Sequence, residues 1–206
     1  MRLSVSQRKS LAETTALYET QAGLAEEYLA GRGIPMSTAA TYRLGVVGTP
    51  RNGDEDVAGR LAIPYLVPSG QVVDIRFRAI QPEQSPKYLG RPNSVTRMYN
   101  TRALLTDSPV IVVCEGELDT LVMDGIVGQP AVGVPGVSNW KPHFRLLLED
   151  FDTVLVFCDG DQPGRDFGKR VCHELDNARA VHLPDGMDVN EALLVNGVDW
   201  LRGRLS

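Results

Sequence analysis

The sequence predicts an α/β protein: a central, mostly parallel four-stranded sheet with helices on its faces, preceded by a smaller α+β subdomain. Four short apolar runs, at residues 110–114, 131–134, 153–158 and 178–183, alternate with helical patterns, as in a parallel sheet covered on both faces. Two earlier strand-like runs, 60–67 and 71–80, are separated only by Pro68-Ser69-Gly70 and read as a hairpin. Charge also changes sign along the chain. Residues 31–105 carry ten Lys/Arg against five Asp/Glu, whereas 106–206 carry eight against seventeen, within an overall net charge of −5. A basic α+β segment, 1–105, is therefore expected to precede an acidic sheet domain, 106–206.

Taken in order, residues 6–31 read as helix. Leu17, Leu24 and Tyr28 recur at near-helical spacing, and Gly31 and Gly33 supply a stop before Pro35. Ser37 heads a second short helix running through Tyr42. A loop rich in Gly, Asp and Asn spans 48–59, then comes the hairpin. Residues 81–100 read as irregular, punctuated by Pro82, Pro86, Gly90 and Pro92. In the acidic half, helices are expected over 118–127, 140–149 and from Pro163 to about residue 175. A last helix follows Pro184-Asp185-Gly186-Met187-Asp188.

Composition excludes several classes. No apolar run among the 206 residues approaches the ~20 needed to span a bilayer, and residues 1–10 lack the apolar stretch of a signal peptide. Cys114, Cys158 and Cys172 lie far apart with no CxxC pair, and His143, His173 and His182 are dispersed, which argues against a disulfide scaffold, a zinc ribbon and a His-based metal site. A reducing, cytoplasmic location with no membrane partner is expected.

The acids carry the chemical signal. In a parallel α/β sheet, ligands bind beyond the carboxyl ends of the strands. Glu115, Asp159, Asp161 and Asp188 each fall at or just after such an end. Two carboxylates ~4 Å apart repel by roughly 4 kcal/mol at an effective dielectric near 20, so a converging set requires protons or cations. Hard oxygen donors favour Mg²⁺ or Mn²⁺, and the lack of His and Cys partners argues against zinc. The competing reading of Asp161 is an N-cap for the helix opened by Pro163. Residues 164–169, GRDFGK, have too few residues between glycines for a Walker loop, and Arg170 stands where Ser/Thr is needed. Cys114 and Cys158, inside strand runs, read as core thiols.

Cys114-Glu115-Gly116-Glu117-Leu118-Asp119 followed by Cys158-Asp159-Gly160-Asp161 resembles the Toprim domain of primases, topoisomerases and related nucleases, whose marks are a strand ending in Glu-Gly and a later one ending in Asp-x-Asp. The resemblance is strongest to DnaG-type primases of bacteria and phages. Gly33-Ile34 through Tyr42-Arg43-Leu44-Gly45, Arg60-Leu61-Ala62-Ile63-Pro64, Pro86-Lys87-Tyr88-Leu89 and Leu183-Pro184-Asp185-Gly186-Met187-Asp188 are similar, in order and spacing, to that family's segments. The resemblance implies that Glu115, Asp159 and Asp161 hold catalytic metals, with Asp188 and Asp119 on the same acidic edge. It implies that Lys87, Tyr88, Arg78, Arg43 and Arg60 contact nucleotide phosphates or template. Arg60 and Arg78 also read as solvated charges flanking strands, and Tyr88 as a packing ring.

The implied activity is a DNA primase catalytic core: a nucleotidyltransferase of the DNA-directed RNA polymerase type, making RNA primers on single-stranded DNA from nucleoside triphosphates with Mg²⁺ or Mn²⁺. Bacterial or phage-infected cytoplasm is the implied setting. The family's zinc ribbon and helicase-binding extension have no counterpart in this sequence, and Val189 stands where the family often has Pro, so a replicative helicase or a separate zinc-binding module is an expected partner. Two rivals are a Toprim nuclease using the same acids to cut, and a non-catalytic DNA-binding primase remnant.

Overall fold

Ser4 opens the first helix, α1 (Val5–Glu19), with a capping box: its hydroxyl accepts from Gln7 N while the Gln7 side chain accepts from Ser4 N. The helix expected over 6–31 does not run through. Thr20 Oγ1 donates back to Leu17 O at 2.7 Å, and the chain turns through Ala22–Ala25 into a separate short helix, α2 (Glu26–Ala30). The cause is a close crossing: β1 (Gly45–Val46) passes the end of α1 so tightly that a Cβ on Gly45 would strike the Tyr18 backbone. The next helix, α3 (Met36–Thr41), takes Pro35 rather than Ser37 at its N-cap.

The computed structural model describes residues 3–205, and the chain divides into two compact units, one ending at Val95 and the other beginning at Thr96. The first unit holds an antiparallel sheet in the order β1-β2-β3-β4, with β2 (Leu61–Leu66), β3 (Val72–Arg78) and β4 (Tyr88–Gly90). The hairpin β2–β3 pairs Leu61 with Arg78 and Tyr65 with Asp74, and slips between Tyr65 and Leu66. Its inner face packs Ile75 and Phe77 with Leu11, Tyr18 and Val47, the Tyr18 and Phe77 rings meeting edge-on at 6.5 Å. Residues 81–100 are not wholly irregular. Phe77 pairs with Leu89 and Arg78 with Tyr88, making β4 an edge strand too short for alternation to reveal.

The second unit is the expected parallel sheet, in the order β6-β5-β7-β8, with β5 (Val110–Cys114), β6 (Ala131–Gly133), β7 (Thr153–Cys158) and β8 (Ala178–His182). The central strands β5 and β7 are buried on both faces, hence their unbroken apolar runs. Residues 96–105, assigned from sequence to the basic segment, belong to this unit: Tyr99 pairs antiparallel with Gly133 and Asn100 Nδ2 donates to Ala131 O at 2.8 Å.

Helix α4 (Glu117–Val122) continues into a wider turn, Met123–Val127, and stops at Gly128 with φ 83°. The helix expected over 140–149 is reduced to α5 (Pro142–Arg145); Trp140, Phe144 and Leu148 are buried there while Leu146 and Leu147 face solvent. Gln162–Glu174 forms α6, and the last helix splits into α7 (Val189–Asn196) and α8 (Val198–Arg202) at Gly197, whose φ of 83° no helix accommodates. Trp140 anchors the core against Phe144 and Phe167 at 5.9 and 6.1 Å. No helix among the described residues is long and apolar enough to cross a membrane.

Candidate metal centre

The sheet order turns a scattered set of acids into neighbours. Glu115 directly follows β5, and Asp119 lies one turn on in α4. Asp159 directly follows β7, and Asp161 is the N-cap of α6. Asp188 is the N-cap of α7, which follows β8. The loops after β7 and β8 are stitched together by Gly160 N to Met187 O at 2.8 Å and Gly186 N to Gly160 O at 2.9 Å. A side chain at Gly160 would collide with Pro184 O, so only glycine permits this approach.

Glu115 and Asp159 meet directly: the Asp159 backbone N–H donates to Glu115 Oε1 at 2.8 Å. The start of α6 closes over the pair, and a Cβ on Gly164 would fall 2.5 Å from Asp159 O and 2.6 Å from Glu115 Oε1. Burial and charge act together on both acids. Burial pushes the Asp159 carboxyl up to about 8, assisted by the carboxylates of Asp119, Glu115, Asp188 and Asp161. Burial likewise raises Glu115 to about 7, opposed by the Asp159 N–H and reinforced by Asp161 and Asp119. Glu115 is thus in direct contact with Asp159, and the charges of Asp119, Asp161 and Asp188 all act on the Asp159 carboxyl.

Among the described residues, no three His, Cys, Asp or Glu side chains stand in the arrangement of a closed ion site. Asp161 Oδ1 accepts from Gly164 N at 2.7 Å, and Asp188 Oδ1 from Glu191 N at 2.8 Å, so both spend an oxygen capping a helix. The capping reading of Asp161 is therefore correct, alongside its place on the rim. The donor chemistry nonetheless fits a hard divalent cation. The five acids named above offer only carboxylate oxygens, and Asp159 Oδ1 is buried without a hydrogen-bond partner among the described residues. Zinc fits poorly, since Cys114 and Cys158 are buried thiols, Cys158 pushed up to about 12 by burial.

The comparisons agree with this geometry. Residues 112–193 match the model of a Toprim-like family. The Gene 57 protein of Mycobacterium phage D29 is 41% identical over 151 residues, an alignment covering 71% of this chain and 98% of that protein. The DNA primase of Aquifex aeolicus is 26% identical over 155 residues, covering 69% of this chain and 31% of the relative. A DnaG primase catalytic domain solved bound to single-stranded DNA superposes with a TM-score of 0.75 at 21% identity, over 98% of this chain and 79% of that one. The chain belongs to the Toprim family of DnaG-type primase cores. It spans about a third of the Aquifex primase's length, 31%.

In this DnaG-type core, the basic residues singled out from sequence have different surroundings. Arg43, at φ 58°, makes a bidentate pair with Glu19 at 2.9 and 2.8 Å. Arg60 is buried and donates to Pro86 O at 2.7 Å. Arg78 is also buried, donating to Tyr28 Oη at 2.6 Å and to Tyr88 Oη, while Arg76 stacks 4.4 Å from the Tyr88 ring centre. Neither buried arginine is a solvated surface charge. Lys87 is exposed, and its backbone is fixed by Ala79 N donating to Lys87 O at 2.8 Å. Residues 164–169 lie inside α6, which accounts for their failure as a phosphate loop. Sequence reasoning passed over Arg97, whose signal is structural: a buried Nε with no hydrogen-bond partner among the described residues.

Proposed function

We propose that this chain is a primase catalytic core that joins nucleotides on a single-stranded DNA template in a reaction dependent on divalent metal. The observation that carries this reading is the acidic rim: Glu115 and Asp159 in direct contact, with burial and then the charges of Asp119, Glu115, Asp188 and Asp161 raising Asp159 to about 8. Such a rim favours a bound cation over bare charge. Glu115, Asp159 and Asp161 would hold Mg²⁺ or Mn²⁺, with Asp119 and Asp188 completing the negative field. When bound, the ions supply neutralisation of charge developing on the transferring phosphoryl group and its leaving pyrophosphate.

The chain's own residues do the rest. The Asp159 N–H fixes the Glu115 carboxylate, and Gly164 lets α6 seal one side of the pair. In the first unit, Lys87 is the exposed cation for phosphate, presented by a segment that Arg60 ties down at Pro86 and Arg78 at Tyr88. Arg60 and Arg78 serve this task as positioning residues, and Arg43 through its pair with Glu19. Template and nucleotide phosphates would bind here with strong salt dependence. The deciding assay offers single-stranded oligonucleotides, ribonucleotides and Mg²⁺ or Mn²⁺ to the full chain and looks for short, template-complementary products. Cleavage of labelled DNA without nucleotides would instead make the chain a nuclease. DNA binding with neither reaction would make it a non-catalytic binder. Adding a replicative helicase or a zinc-binding module tests those partners.

A further inference from the structure

The edge of the parallel sheet beyond β6 is covered by the segment ending at Tyr99. Tyr99 N donates to Gly133 O at 2.8 Å and Gly133 N returns a bond to Tyr99 O at 3.2 Å, an antiparallel pairing. Two residues before Tyr99, Arg97 therefore stands level with Pro135, past the C-terminal end of β6. There the chain meets the rim, because Gly136 N donates to Glu115 O at 3.2 Å. Neighbouring strands lie about 4.8 Å apart, so the Arg97 backbone is roughly 10 Å from that of Glu115, two strand spacings away. An arginine side chain and a bound anion together bridge such a gap.

Arg97 is half-buried, and its Nε is buried without a hydrogen-bond partner among the described residues. A buried donor left unmade costs stability, and it marks a group whose partner comes from outside the chain. An anion that partners Arg97 from the side of the rim has to approach its carboxylates. A lone anion is repelled there, whereas a phosphate arriving with a divalent cation is not, and a guanidinium fork matches two phosphate oxygens. We propose that Arg97 binds a phosphate group at the acidic rim, carried by a nucleotide or by a nucleic-acid backbone; the choice of carriers rests on the primer-synthesis reading above.

The test uses the full chain with Arg97→Ala and Arg97→Lys. Arg102→Ala serves as the control, a nearby arginine paired with Asp124 at 3.8 Å. Two probes are titrated, both with Mg²⁺ present: ATP by calorimetry, and a single-stranded oligonucleotide by fluorescence anisotropy. Arg97→Ala should weaken one probe by about tenfold to about a hundredfold, the range for a hydrogen bond to a charged group. Arg97→Lys should recover part of the loss, and Arg102→Ala should lose nothing. Loss of ATP binding assigns the phosphate to a nucleotide, and loss of oligonucleotide binding assigns it to a backbone. Should the alanine variant fail to fold, Arg97→Met keeps the packing of the stem. Wild-type chain that binds neither probe, or a folded Arg97 variant without the charge that binds both normally, overturns the proposal. Binding that depends on Arg97 in a chain that makes no primers sinks the activity reading and leaves this one standing.

Discussion

Glu115 and Asp159, separated by 44 positions in the chain, are joined by a single hydrogen bond from the Asp159 N–H to Glu115 Oε1 at 2.8 Å. The bond fixes the Glu115 carboxylate while leaving the Asp159 carboxylate buried, crowded and with Oδ1 unpartnered among the described residues. Asp159→Asn should therefore abolish nucleotide joining while melting at or above the wild-type temperature. One kcal/mol gained from the lost repulsion corresponds to about 2–4 °C in a protein of this size. Primer synthesis by that variant at the wild-type rate would refute the metal assignment.

Stability of the ion-free chain should fall as pH rises. Folding lifts Asp159 from 3.8 to about 8 and Glu115 from 4.5 to about 7. Between those limits the folded state holds protons that the unfolded state has released. The contribution is complete below about pH 4 and is lost as pH passes through about 7 to 8. Denaturant midpoints in EDTA across that window should decline for wild type and decline less steeply for Asp159→Asn, which keeps only the Glu115 contribution.

Divalent ions should reverse that loss. At a hundred times its dissociation constant, an ion bound only to the folded state adds about 2.7 kcal/mol. Mg²⁺ or Mn²⁺ should raise the wild-type melting temperature at neutral pH and raise that of Asp159→Asn far less. Equal shifts in both proteins would place the ions elsewhere.

Gly164→Ala tests the closure over the acidic pair. The added methyl would sit 2.5 Å from Asp159 O and 2.6 Å from Glu115 Oε1, and neither the backbone nor a hydrogen-bonded carboxylate yields easily. A destabilisation of about 1–3 kcal/mol is expected, with loss of activity beyond what the melting curve explains.

Lys87 and Arg60 should part company. Lys87→Ala removes an exposed charge, so melting should be unchanged while the slope of log affinity for single-stranded DNA against log salt falls by about 0.7. Arg60→Ala leaves Pro86 O without its donor and opens a buried site, so it should cost about 1–3 kcal/mol of stability. If the two substitutions behave alike in both measurements, the division of labour assigned to this segment is wrong.

The two central strands and their acids were legible because β5 and β7 are each a largely apolar run closed by a carboxylate, Glu115 and Asp159, a pattern that survives without tertiary information. β5 and β7 match their expected bounds to the residue. What escaped depends on partners distant in sequence. β1 and β4 exist through pairing with β2 and β3, and two or three residues carry no period of their own. The break after α1 answers to Gly45 crossing Tyr18. Arg60 and Arg78 carry the same formal charge as Lys87, and only the fold separates the two that are buried from the one that faces water.

Asp161 and Asp188 begin helices whether or not any catalysis occurs, so a descendant that had lost its chemistry would still gain from keeping them. Asp159 has no such second employment: it is a burden on folding that only activity justifies. In a set of related chains, the identity at this single position would therefore separate working copies from silent ones, and the Asp-x-Asp signature taken whole would not.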